Sequence, residues 1–146
     1  MVNLHIERTI SAPQQKVFDW LASPASLTAA PLVLKAGWLK GSSAPGVGAV
    51  REVWGTGMWF REEITAYDAP NSYSYLIIRS IPVFDHDGGT LTFTPVGEGT
   101  HVDWVSSYTH PARSGGKPLQ TISSRLLLWN FGAILARCAK DLESSA

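Results

Sequence analysis

From Pro118 to about Leu142 the chain carries apolar residues at spacings of three and four on two separate helical faces. Leu119, Ile122, Leu126, Trp129, Ala133 and Ala136 make one face; Leu127, Phe131, Ile134, Cys138 and Leu142 make the other. A surface helix needs a single apolar stripe. A helix with two must be covered on most sides, by a curved sheet or by a second subunit. That demand limits the possible folds more than any other feature of the chain.

Material for such a sheet precedes the helix. Leu4, Ile6 and Ile10 alternate as on one face of a strand, with Arg8 on the same face. Ser11-Ala12-Pro13-Gln14 has the spacing of a capping box, and its proline suits a first helical turn. Val17, Phe18 and Leu21 continue as a short helical stripe. Ser23-Pro24 ends it and opens a second short helix through Ala30. From Gly37 to Thr109 the pattern is β throughout. Turn signals divide it at 41–46, at Gly55-Thr56-Gly57, at Asp68-Ala69-Pro70-Asn71, at Asp87-Gly88-Gly89 and at Pro95–Gly99. Alternation groups Met58, Phe60, Glu62 and Ile64, and later Val102, Trp104, Ser106 and Tyr108. A Gly/Ser loop from Pro111 to Lys117 leads into the long helix.

The 146 residues fit one domain spanning 1–146. Twelve basic residues balance twelve acidic ones, which argues against nucleic acid as a partner because its binding rewards a basic stripe. One cysteine, Cys138, leaves no internal disulfide, and its apolar neighbours mark it as inert packing. No apolar run approaches the ~20 residues of a membrane span, so no integral membrane association is expected. Charges in the first eight residues stand where a signal peptide needs an apolar core, so a cytoplasmic location is expected. Six tryptophans either fill a core or wall a cavity.

Strand, two short helices, a long antiparallel run and a final helix form an order with local signatures. These are Ser11-Ala12-Pro13 before Val17-Phe18, Gly46-Val47-Gly48-Ala49-Val50-Arg51, and Glu62-Glu63-Ile64 before Pro70-Asn71-Ser72-Tyr73-Ser74-Tyr75. A fourth is Pro95-Val96-Gly97-Glu98-Gly99-Thr100-His101-Val102-Asp103-Trp104. In this order the chain resembles the START, major pollen allergen and polyketide cyclase superfamily (SRPBCC), nearest its bacterial polyketide cyclase/dehydrase-like branch. The resemblance implies an α+β helix-grip fold, with a curved antiparallel sheet around the C-terminal helix and a cavity for a hydrophobic molecule. It implies no particular reaction, because members share no catalytic set.

Within that frame Phe60, Glu62, Tyr75, Trp104, Tyr108, Leu126, Trp129 and Ala133 are the candidate ligand-binding residues. Glu62 is the one candidate for catalysis. A buried carboxylate is costly unless paired or protonated. It therefore serves a ligand, acts as an acid or base, pairs with Arg8 or Arg51, or lies exposed at a strand edge. Tyr75 and Tyr108 offer hydroxyls, and Trp104 is expected to face Trp129. His101 and Asp103 fall on the opposite, solvent-facing side of their strand. Asp85-His86-Asp87 lacks a second histidine at ligand spacing, so no metal is expected. Gly46-Val47-Gly48 has Arg51 where a dinucleotide fingerprint needs its third glycine, and no Gly-x-Ser-x-Gly elbow is present; no cofactor is expected.

Three functions remain open. The first is binding, transport or sensing of a lipid, polyketide or aromatic metabolite. The second is a cyclase or dehydratase using Glu62 and a tyrosine, and the third is an interaction module with a filled core. An enzyme needs two or more polar groups converging on the cavity. Glu62 is the one firm inward candidate that the sequence supplies, which favours binding. A monomer or weak homodimer is expected.

Overall fold

The computed structural model describes residues 2–42, 44–81, 83, 85–109 and 116–143. Seven strands form one antiparallel sheet: β1 (Val2–Ile10), β2 (Val33–Trp38), β3 (Val50–Gly55), β4 (Met58–Asp68), β5 (Ser72–Ile81), β6 (Asp85–Val96) and β7 (Gly99–Thr109). Their spatial order is β1-β7-β6-β5-β4-β3-β2. The first strand thus closes against the last, and short turns join β3 to β4, β4 to β5 and β6 to β7. Two of those turns need glycine: Gly57 between β3 and β4 has φ 72°, and Gly97 between β6 and β7 has φ 60°.

Between β1 and β2 lie α1 (Gln14–Ala22) and a 3-10 helix (Pro24–Ala29). The long α2 (Gly116–Glu143) follows β7 and lies on the concave face. The chain therefore has the helix-grip architecture expected from its element order.

Phe18 is central to the core. Its ring meets Tyr67, Tyr73 and Phe93 edge-on, with centroids 5.4, 5.7 and 5.1 Å away. Ile10, Val17, Leu21, Leu91, Val102, Leu135 and Cys138 pack with it. The expected inertness of Cys138 agrees with its burial, which pushes the thiol up to about 12.

Several local expectations change. The capping box at Ser11 does not form. Pro13 stands at the helix N-cap without a side-chain cap bond, and the Gln14 amide instead donates to Phe93 O on β6 at 2.8 Å. The first sheet segment after the helices begins at Val33 rather than Gly37. Asp87-Gly88-Gly89 is not a turn but lies inside β6, where the β6–β7 register shifts between His86 and Gly88. The loop expected at 111–117 falls mostly outside the described residues, and the described helix begins at Gly116.

The two apolar faces of α2 have different fates. Ile134, Leu135, Cys138 and Ala139 are buried, with Phe131 and Leu142 packed beside them. Ile122 and Trp129 are 58% and 55% exposed. The sheet covers one side of the helix, and nothing in the described chain lies over the other.

Candidate functional site

A cavity of about 240 Å³ lies between the concave sheet face and the middle of α2, from Ser123 to Ile134. Its wall is mainly aliphatic and aromatic, drawn from the 3-10 helix, β3 to β7 and α2. The polar groups in it come in three sets.

The first is an ion pair on the floor. Strand alternation turns Glu62 inward, and the β3–β4 register places Arg51 directly opposite. Arg51 and Glu62 form a salt bridge with both side chains at most 5% exposed. The Arg51 Nη1 also donates to the carbonyls of Leu21 and Ala22, each at 3.4 Å. These carbonyls end α1, which has no basic residue in its last turn. Arg51 supplies the cation that a helix C-terminus favours. Its guanidinium lies 5.6 Å from the centroid of the Tyr73 ring, and the Tyr73 hydroxyl donates to Leu21 O at 3.1 Å. Burial outweighs the attraction of Arg51, so the Glu62 carboxyl sits above the usual carboxylate range.

The second set spans β5, β6 and β7. The Tyr75 side chain crosses β6 above Gly89, where a β-carbon would fall 2.5 Å from the hydroxyl oxygen. Trp104 Nε1 donates to that oxygen at 3.0 Å, and Ser106 lines the cavity with it. Burial, with the nearby charge of Glu62, holds the Tyr75 phenol well above the ordinary tyrosine value. His86 stacks on Tyr75 with centroids 5.4 Å apart. Its Nδ1 accepts from Ile77 N–H at 2.9 Å, so a neutral ring carries its proton on Nε2. That nitrogen donates to Ser106 Oγ at 2.9 Å. Burial, only partly offset by Asp87, lowers the His86 pKa to about 4.

The third set fastens α2. Tyr108 and Ser123 share a hydrogen bond of 2.7 Å, and buried Asn130 accepts from Leu32 N–H at 3.1 Å. Trp104 stacks on Phe131, with centroids 4.0 Å apart and planes at 12°.

The polyketide cyclase / dehydrase and lipid transport family model matches residues 1–143. The chain belongs to this family. No curated protein matches it by sequence. Among solved structures it is similar to TTHA0849 from Thermus thermophilus, at 21% identity, with 99% of each chain covered and a TM-score of 0.76. It also resembles Ara h 8.0201, at 13% identity over 94% of this chain and 97% of that one, with a TM-score of 0.67. The Aha1 dimer from Colwellia psychrerythraea is similar at 15% identity, covering 98% and 97%, with a TM-score of 0.64. These likenesses show the helix-grip fold of the polyketide cyclase and lipid transport family and no more.

Of the eight residues read from the sequence, Phe60, Glu62, Tyr75, Trp104, Tyr108 and Leu126 line the cavity of this family member. Trp129 and Ala133 do not. The expected meeting of Trp104 with Trp129 is replaced by Trp104 with Phe131, because the second apolar face of α2 turns toward the sheet. Among the alternatives for Glu62, Arg51 is the partner, whereas Arg8 is exposed on β1.

Sequence reading missed Tyr73, His86 and Ser106 as wall residues. Ser106 shared the inward face of Trp104 and Tyr108, so alternation carried its signal. His86 had none. Period two from Leu91 and Gly89 leads to Asp87, and only the bulge turns His86 inward.

Away from the cavity, His5, Glu7 and Asp103 bring ligand atoms within 4.8 Å of one another on the outer face of β1 and β7. His5 already bonds Asp103 there. Exposed acidic groups gather in this way without an ion, and the cluster carries no metal assignment.

Proposed function

We propose that this chain binds a small hydrophobic molecule, such as a lipid, polyketide or aromatic metabolite, between its sheet and α2. The single observation that carries this reading is a cavity of about 240 Å³ in a wall built mainly of apolar side chains. Interiors are otherwise packed with few voids larger than a water molecule. A filled interaction module would have spent its aromatic rings on closing that space. The family's description, with its reference to lipid transport, points the same way.

Binding is preferred to catalysis because Glu62 is committed to Arg51, and Arg51 in turn to the end of α1. A general acid or base tied into the frame of the fold has little freedom to follow a reaction coordinate. The chain acts in a cytoplasmic setting as a monomer or weak homodimer. The exposed Ile122, Leu128 and Trp129 on α2 are the surface through which a dimer would form.

Native mass spectrometry of protein purified from its host, followed by organic extraction, tests the reading. A co-purifying apolar compound that competes with a fluorescent naphthalene probe is the expected result. Failure of every apolar probe to bind the emptied protein overturns it.

A further inference from the structure

The second polar set contains one hydrogen too many. Four groups meet there: Trp104 Nε1–H, His86 Nε2–H and the hydroxyls of Tyr75 and Ser106. Trp104 must donate, and it donates to Tyr75. The Ile77 amide occupies His86 Nδ1, so the Nε2 proton must be given away, and it goes to Ser106. Each hydroxyl oxygen has now accepted one hydrogen bond from an obligatory donor. Even where one hydroxyl gives its hydrogen to the other, only one of their two hydrogens is used. The other hydroxyl hydrogen has no acceptor among the described residues. Both side chains line the cavity, at 4% and 5% exposure.

A buried donor left without a partner costs about 1–3 kcal/mol, and an occupant that supplies an acceptor removes that cost. We infer that the cavity takes an apolar ligand bearing a carbonyl oxygen, which accepts the spare hydrogen of the Tyr75–Ser106 pair. The neighbouring groups support an acceptor over an anion. Glu62 places negative charge near Tyr75, and Arg51, the only fully buried cation among the described residues, is already engaged by it. A carboxylate ligand would face that charge in a desolvated site, whereas a neutral ketone or ester would not. The geometry makes selection for a carbonyl a consequence of hydrogen-bond direction, relayed from the Ile77 amide through His86.

This inference rests on the ligand-binding reading, and its test separates the two. Two probes of nearly equal shape are titrated into the protein: 2-acetylnaphthalene and 2-isopropenylnaphthalene. Affinities are normalised to partition into cyclohexane. The ketone is expected to bind about fivefold more tightly than its hydrocarbon counterpart. Its carbonyl stretching frequency should fall on binding relative to cyclohexane. Tyr75→Phe and Ser106→Ala are then compared, after near-ultraviolet circular dichroism shows that each retains packed aromatic rings. One of the two should reduce the preference and the frequency shift more than the other, and that residue is the terminal donor. Equal binding of the two probes, or effects unchanged in both variants, overturns the carbonyl assignment and leaves the cavity reading standing. If neither probe binds the parent, both inferences fall together.

Discussion

Tyr75 lies across Gly89 on the neighbouring strand, with its ring in the space that any larger residue at 89 would fill. This pairing lets the hydroxyl reach past β6 to Trp104 and Ser106 on β7. Gly89→Ala should therefore act on the cavity wall. It must displace the ring and break the Trp104 bond, at a cost of about 1–3 kcal/mol. Denaturant melts followed by tryptophan fluorescence would show the loss, together with weaker binding of naphthalene probes. Unchanged stability would mean that Tyr75 has another place to lie.

The Arg51–Glu62 pair makes a second case. Removing one partner leaves an uncompensated buried charge, so Arg51→Met or Glu62→Leu should each cost about 3–5 kcal/mol. The double variant removes both charges and should be less destabilised than the sum of the singles. A double-mutant cycle in urea measures this. Additive losses would show that the two side chains do not act as a pair.

His86 sets the acid limb of stability. Its pKa is about 4 in the fold, against about 6.5 for an unperturbed histidine, so the unfolded chain takes up the proton first. The contribution is complete above pH 6.5 and is lost as pH falls through 4. Glu62, raised by burial, has the opposite sign, because its charged form is the disfavoured one. Comparing the parent with His86→Gln isolates the histidine. The parent should lose about 1–2 kcal/mol more between pH 7 and pH 4, after allowance for partial exposure of the ring. Parallel pH profiles would remove the role assigned to Ile77 N–H and the neutral tautomer.

The long helix separates two aromatic residues that look equivalent in sequence. Trp129 is 55% exposed, so Trp129→Ala should change stability by no more than about 0.5 kcal/mol. Phe131 stacks on Trp104, and Phe131→Ala should cost about 3 kcal/mol and enlarge the cavity. Calorimetry on the two variants decides which face the sheet grips.

How far the sequence led can be judged residue by residue. Period-two alternation turned Glu62, Trp104 and Tyr108 inward correctly, because no extra residue interrupts their own strands before them; the β4–β5 slip at Glu62 places its extra residue, Ile78, on β5. Arg51 was already one of two named partners for Glu62, and only the register could choose between them. Alternation failed at His86, since a single extra residue at Asp87 exchanges the faces of β6 and leaves no mark in the local pattern. It failed in another way on α2. Two apolar stripes cannot be ranked without knowing which one the sheet reaches, and tryptophan's size made the exposed stripe look like the core.

The β5–β6 ladder pairs only Ser72–Tyr75 with Gly89–Thr92. Beyond Tyr75 the described contact between those strands passes through a side chain, from the Ile77 amide to His86. Mechanically the sheet is thus two leaves, β2 to β5 and β6-β7-β1, stitched along four residues and latched by an imidazole. The breadth of the space beneath α2 is then set by the angle between the leaves.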